Sequence, residues 1–334
     1  MATQKQIAAK LGISQKTVSR VINDSACVRT GIRETVLSEI QQCGYTLNIS
    51  ARNLRVSKTG VTGIIVPGKS AFHSIYFLKT FEGINEAARC AGYSNLVITL
   101  EKEKEIKNLL QPAAAKVDGF IIFNIGRTGR SLIKKTAGLL HETGKPAVII
   151  QASGKDGIFP SAGIDNFAGG LIAGQHLIAE KCKNFAYLGC GNGFIENRQR
   201  LAGFKTALQN AHKKNTCLKV FPWNEKNIDS SINSMIKARQ GRPAGIFAWS
   251  DRVARLVLFE LKRLGFCVPG DFSIVGFDDL ESYSLMTRPL LTTVRQPFYD
   301  LGINVMKKII ESINNPSLKL AGFSIKPELV IRDT

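Results

Sequence analysis

From Gly60 to the carboxyl end, short runs of Val, Ile, Leu and Phe recur between stretches of helical periodicity. They read VTGIIVP (61–67), NLVITL (95–100), DGFIIFNI (118–125), PAVIIQA (146–152), NFAYLGC (184–190), LKVFPW (218–223), AGIFAWS (244–250) and DFSIVGFDD (271–279). Helical patterns at 77–91, 167–180, 199–211 and 251–264 separate most of them. Strands that alternate with helices pair in parallel, because the chain must cross over the sheet between them. One core does not serve more than about 270 residues, so two sheets, each covered by helices on both faces, are expected.

The first 45 residues follow a different rule. Thr3, with Gln6 three residues later, forms a capping box that starts a helix. Ile7, Ala8 and Leu11 give that helix one apolar stripe, and Gly12 ends it by supplying a left-handed backbone. Ser14 is placed to cap a second helix, with Val18, Val21 and Ile22 inward. Gln15, Lys16, Ser19 and Arg20 then share the outer face. An amide, a lysine and an arginine near the start of an exposed helix can bond to purine edges and phosphates in a major groove. A third helix is expected from about Thr30 to Cys43, burying Ile32, Val36, Leu37 and Ile40. Residues 46–58 form a linker containing NISARNLR, too short to be a stable isolated helix.

Composition narrows the function classes. The chain has 334 residues, is 44% hydrophobic and carries a net charge of +19. Residues 1–58 contribute +6, from nine Lys/Arg against three acids, and the other +13 is spread over the rest. A basic surface attracts polyanions but cannot identify a sequence. No window approaches the roughly 18 unbroken apolar residues of a membrane span. The polar amino terminus, already committed to a helix, does not read as a signal peptide, so a cytoplasmic protein is expected. Seven cysteines form no CxxC pair and four histidines no HExxH spacing, so reduced thiols and no metal are expected. Cys43 and Cys90 fall at helix-packing positions. No Walker loop, nucleophile elbow or completed GxGxxG is present, and no cofactor is expected.

In doubly wound sheets, ligands sit beyond the carboxyl ends of strands. Ser250-Asp251, Asp278-Asp279 and Trp223 occupy such ends, and Arg200 opens RLAGF on the helix after NFAYLGC. Carboxylates and an arginine can hold hydroxyls, and a tryptophan offers a platform for a sugar ring. Asp279 reads more readily as a helix cap than as a ligand contact, and Asp251 serves equally to cap its helix or to position Ser250.

The alanine, Gly12, the Ser14–Thr17–Val18–Ser19–Arg20 series and Asn23 closely resemble the headpiece of lactose/galactose-repressor (LacI/GalR) family transcription regulators, which include purine-repressor-like members. The resemblance continues at Ala51-Arg52-Asn53-Leu54, the family's hinge, and on to the carboxyl end. It implies an α/β protein: an all-α helix-turn-helix headpiece (1–45), a hinge (46–58) that becomes helical in the minor groove, and a periplasmic-binding-protein-like core (60–334). That core has two doubly wound subdomains, crossed three times, with an N-subdomain of 60–160 plus 293–321 and a C-subdomain of 161–290 plus 322–334. Only seventeen residues separate Leu100 from Asp118, fewer than the family usually has, so the second helix of the N-subdomain should be short.

By the same resemblance, Gln15, Lys16, Thr17, Ser19, Arg20 and Asn23 contact the major groove. Ala51, Arg52, Leu54 and Arg55 serve the minor groove, with Leu54 as the wedge between base pairs. The effector arginine of the family matches Arg200, its aspartate Asp278 and its aromatic Trp223. Ser250 stands where many members have asparagine, and Tyr76, Phe77 and Gln296 approach from the opposite side. The expectation is a homodimeric repressor, not an enzyme, on a two-fold symmetric operator of double-stranded DNA. A small-molecule effector, a sugar or sugar derivative, would control it from the cleft between subdomains. The chain ends at PELVIRDT without the leucine heptads of tetrameric relatives. The rival reading is a cytoplasmic small-molecule-binding protein or sugar-acting enzyme on the same core, and among regulators a corepressor-dependent one.

Overall fold

The computed structural model describes residues 3–22, 28–43, 58–124, 129–150, 158–190, 194–211, 217–222, 228–239 and 241–334. The chain divides into two compact units, Met1–Gly60 and Val61–Thr334.

The first unit is three helices, α1 (Gln4–Lys10), α2 (Gln15–Ile22) and α3 (Thr30–Gln42). Both halves of the capping box are made: Gln6 N–H donates to Thr3 Oγ1 at 3.3 Å, and Thr3 N–H to Gln6 Oε1 at 2.8 Å. Gly12 turns the chain at φ +65°, and Ile13 N–H bonds back to the Ala8 carbonyl at 3.0 Å. Ile7, Ala8, Val18, Val21 and Val36 form the buried centre. The third helix departs from expectation. Ile32 and Leu37 are exposed, whereas Glu39 is buried, accepting a hydrogen bond from Lys10 Nζ at 2.7 Å. Three short helices enclose only a narrow stripe, and Val36, Ile40 and Cys43 fill it.

The second unit contains two six-stranded sheets. In chain order the first part runs β1 (Val61–Pro67), α4 (Ile75–Cys90), β2 (Ser94–Leu100), α5 (Ile106–Ala114), β3 (Gly119–Phe123), α6 (Gly129–His141), β4 (Ala147–Ile150) and β5 (Ser161–Ile164). Next come α7 (Asn166–Ala179), β6 (Asn184–Gly189), α8 (Ile195–Asn210), β7 (Cys217–Pro222), α9 (Ile228–Arg239), β8 (Ala244–Ala248), α10 (Asp251–Arg263) and β9 (Phe272–Asp278). The chain ends with α11 (Glu281–Ser284), β10 (Thr292–Arg295), α12 (Phe298–Asn314), β11 (Phe323–Ile325) and β12 (Glu328–Val330). The helix after β2 is indeed short, nine residues.

The first sheet has the order β11-β5-β4-β3-β1-β2 and is parallel throughout. The second has the order β12-β10-β9-β8-β6-β7, parallel except for β12, which runs antiparallel to β10. Each sheet has an apolar cluster on either face, as a doubly wound sheet requires.

These pairings correct the expected subdomain limits. Residues 161–164 belong to the first sheet, because β5 pairs with β4 and β11. Thr293–Arg295 belong to the second, where β10 lies between β9 and β12. Phe323–Ile325 return to the first. The chain therefore passes between sheets after Ile164, after Arg295 and after Ile325. Cys90 is exposed, not packed, with its thiol directed at Glu86. No disulfide joins the described cysteines, and no group of described side chains could hold a metal ion. No described helix is long and apolar enough to cross a membrane.

Candidate DNA-reading face and inter-sheet site

In the first unit, Ser14 Oγ accepts from Thr17 N–H at 3.0 Å and shares a hydroxyl hydrogen bond with Thr17 Oγ1 at 2.8 Å. That cap fixes where α2 begins. Gln15, Lys16 and Arg20 are exposed on the side away from Val18 and Val21, with Thr17 and Ser19 partly covered at its margin. Asn23, Ala51, Arg52, Leu54 and Arg55 lie outside the described residues.

In the second unit, polar groups gather at the carboxyl ends of the strands. Arg200 lies on α8, after β6, and is 5% exposed. Its Nε donates to Asn166 Oδ1 at 2.8 Å, its Nη1 donates to the Trp249 carbonyl, and it stands 4.0 Å from Asp278 Oδ1. The guanidinium lies 3.6 Å from the Phe277 ring centre and 5.7 Å from that of Trp249. A guanidinium tethered through Nε and Nη1 and covered by two rings is held in one orientation, with Nη1 also facing Asp278.

Asp278 ends β9 with φ 120°, a conformation that costs an L-residue energy. It accepts from Gln296 Nε2 at 2.5 Å. Burial raises its pKa to about 6, against the opposing pull of Arg200 and the Gln296 hydrogen bond. Behind it, Asp251 is fully buried, accepting from Leu280 N–H at 2.9 Å and from the Thr293 hydroxyl. Burial, then the charge of Asp278, pushes the Asp251 carboxyl well above the usual range. Asp251 thus ties the loop after β9 to β10, while Ser250 Oγ caps α10 through Val253 N–H.

Asp279 is not a helix cap; Leu280 holds that position for α11. Its carboxylate accepts from Arg295 and Arg332, each at 2.7 Å, and from Ser284 at 3.1 Å. Burial works against the charge, but the two guanidiniums outweigh it and hold Asp279 below the ordinary carboxylate range.

The first sheet contributes aromatics. Tyr76, early in α4, packs 4.9 Å from the Phe298 ring and 6.3 Å from that of Phe123. Burial, then the charge of Glu196, raises its phenol well above its ordinary pKa. Glu196 belongs to α8, so Tyr76 faces the second sheet's half of the core. Phe77 does not join this group; it is 1% exposed and packs among Phe72, Phe81 and Phe123. Gln296 lies where the chain passes from β10 to α12 and is 6% exposed.

Among the described residues, six buried side-chain polar atoms have no hydrogen-bond partner, and three of them belong to the residues gathered here: Tyr76 Oη, Trp249 Nε1 and Gln296 Oε1. Buried polar groups are rarely left so. One donor, one acceptor and one hydroxyl, contributed by both halves, suit a ligand with several hydroxyls. Trp223 lies outside the described residues. Sequence reasoning did not find Asn166, Trp249 or Glu196. The only available signals were the Asn after the Asp165 cap and the tryptophan directly before Ser250.

Residues 3–48 match the family described as bacterial regulatory proteins, lacI family, and residues 175–334 a periplasmic binding protein-like domain. The chain is similar to the HTH-type transcriptional repressor PurR of Mannheimia succiniciproducens, 30% identical over 338 residues, covering 99% of this chain and 98% of that protein. A solved complex of the transcriptional regulator CelR with cellobiose has a similar fold, with a TM-score of 0.66 at 24% identity over 100% of this chain and 99% of that one. A lac repressor dimer bound to operator and the anti-inducer ONPF gives a TM-score of 0.66 at 23% identity, covering 100% of this chain and 98% of that one.

Proposed function

The chain belongs to the lacI family of bacterial regulatory proteins, and from that premise we propose how its two units divide the work of repression. It is a DNA-binding transcription regulator with an effector-binding core, not an enzyme. Two copies act together in the cytoplasm on a two-fold symmetric operator, each presenting Gln15, Lys16, Thr17, Ser19 and Arg20 to one half-site. Two-fold symmetry doubles the base-reading energy of a single short helix. The hinge, with Ala51, Arg52, Leu54 and Arg55, enters the minor groove between the half-sites. The solved lac repressor dimer bound to operator supports action as a dimer on DNA.

The effector is a sugar or sugar derivative seated against Arg200, Asp278 and Gln296, with Tyr76, Trp223 and Ser250 around it. The carrying observation is the set of unpartnered buried atoms, Tyr76 Oη, Trp249 Nε1 and Gln296 Oε1, beside the Arg200–Asp278 pair. A ligand hydroxyl can give and accept at once, so it satisfies each of them. For regulation, the effector must bind two arrangements of the core with different affinity; equal affinity shifts nothing.

The test begins with selection of bound duplexes from random DNA by the full-length protein near physiological salt. A two-fold symmetric motif with a fixed central step is expected, and small polyols that change its affinity then identify the effector. Only sequence-independent, salt-labile binding, with and without added sugars or purines, would overturn the reading.

A further inference from the structure

Glu196 occupies the first turn of α8, four residues before Arg200, so the two share one face of the helix. It is partly buried, and no described cation pairs with it. Its charge reaches Tyr76 on α4, in the other half of the core, where it adds to the effect of burial on the phenol. Glu196 therefore stands on the Arg200 face of α8, in the half of the core that Tyr76 faces.

Among the described residues, the charges on that side do not balance. Among the described residues, Arg200 is its cation, already bound to Asn166 and the Trp249 carbonyl and set 4.0 Å from Asp278. The acceptors are Asp278, Glu196 and the buried, unpartnered Gln296 Oε1. Asp251 lies behind Asp278, and burial and the charge of Asp278 push its carboxyl well above the usual range. A neutral sugar closing the inter-sheet gap would match Arg200 with Asp278 and leave the Glu196 carboxylate without a counter-charge as water is excluded. Burying an unpaired charge is costly. A ligand with an ammonium group removes that cost, and Gln296 Oε1 accepts one of its other protons.

We propose that the effector is a polyol bearing a protonated amine, an amino sugar, and that Glu196 is the residue that selects it. This rests on the reading of the inter-sheet gap as the effector site. Glu196 receives the ammonium group, Arg200 and Asp278 hold the hydroxyls, and Tyr76 closes over them from the first sheet. The selection is one of charge, so it operates between an amino sugar and its neutral parent of the same shape.

The experiment measures binding of glucosamine, galactosamine and mannosamine, and of glucose, galactose and mannose, to the full-length protein by thermal shift and calorimetry. Wild type is compared with Glu196→Gln and Glu196→Asp, and operator binding without ligand shows that each variant is folded. At least one amino sugar should bind about tenfold or more tightly than its neutral parent. Glu196→Gln should bring that ratio to within about threefold by weakening the amino sugar alone, and Glu196→Asp should restore part of it. A neutral sugar that binds as well as its amino counterpart, or a preference that survives in Glu196→Gln, overturns the inference and leaves the effector site standing. Binding of neither class overturns the inference together with the sugar reading of the site.

Discussion

The two halves of the core use the same device to bring helices together. In the first, α4 meets α12 at Gly83 and Gly302, where a Cβ would lie 2.1 Å from the Tyr299 carbonyl oxygen or 2.0 Å from that of Thr80. In the second, α7 meets α8 at Gly170 and Gly203, where a Cβ would lie 2.0 Å from the Arg200 carbonyl oxygen or 1.9 Å from that of Phe167. At the strand ends the halves diverge. The first presents Tyr76, Phe123 and Phe298, one ring packed on the next. The second presents Arg200, Asp251 and Asp278 with their hydrogen-bond partners. Equal scaffolds thus carry unequal chemistry: one half gathers polar groups, and the other an apolar wall with the buried Tyr76 hydroxyl. In the second half, moreover, the crossing involves the backbone of Arg200 itself, so helix packing and the ligand recognition proposed for Arg200 are tied together.

Arg200→Ala should break the comparison most severely. It removes one partner of a largely desolvated charge pair and frees Asn166 and the Trp249 carbonyl, a loss of about 3 kcal/mol, or more than about a hundredfold in effector affinity. Calorimetric titration checks it, with operator binding as the control for folding. The next largest effect sharpens the comparison. Gly203→Ala and Gly83→Ala should each lower stability by about 1–3 kcal/mol, since both force backbones apart. Only Gly203→Ala should also weaken effector binding strongly, because it moves α8 and Arg200 with it. Denaturant midpoints and ligand affinities, measured side by side, decide this; equal losses of affinity in the two variants would show that the halves are not functionally distinct.

Short-range physics was legible in the sequence. The Thr3–Gln6 box, the Gly12 turn and the Ser14 cap each depend on residues within a few positions, and the structure forms all three. The eight long apolar runs became strands, the first with the expected limits and the others within two residues of them. What could not be read was set by pairing across distance. The strands at 161–164, 292–295, 323–325 and 328–330 are three or four residues long, too short to show alternation. Which sheet each joins follows from its neighbours, as when Phe323 pairs with Ala162. The buried position of Glu39 depends on Lys10, far away in the chain. In the site, Asp278 could be named from its place at a strand end, and Arg200 from the RLAGF run that resembles the family's. Asn166, which orients Arg200, and Arg332, which holds Asp279, could not, because nothing local marks them. Glu196 went unread because a glutamate in the first turn of a helix is usual.

The titration of Asp278 gives a third test, confined to the polar half. Its pKa is raised to about 6 in the fold, above the roughly 4 of an unfolded chain. The folded state therefore holds this proton more tightly, and the stability it contributes is complete below about pH 4 and lost as pH rises through about 6. The groups facing it are Arg200, Gln296 and Asp251. Asp278→Asn should flatten the decline in stability over that interval, as measured by urea unfolding at a series of pH values. An unchanged decline would assign it to Asp251 alone, whose carboxyl is shifted in the same direction.

The smallest effect belongs to the aromatic half. Tyr76 Oη is buried without a partner, so in the free protein Tyr76→Phe removes a desolvated hydroxyl and should leave stability equal or slightly higher. The ring keeps its contacts with Phe123 and Phe298. With effector bound, the variant loses one hydrogen bond between neutral groups, about 0.5–1.5 kcal/mol, or roughly tenfold at most. Thermal unfolding and ligand titration of the same preparation separate the two effects. A drop in the stability of the free protein would contradict this account, because it would mean that the hydroxyl already has a structural partner and that the aromatic wall is as polar as the half it faces.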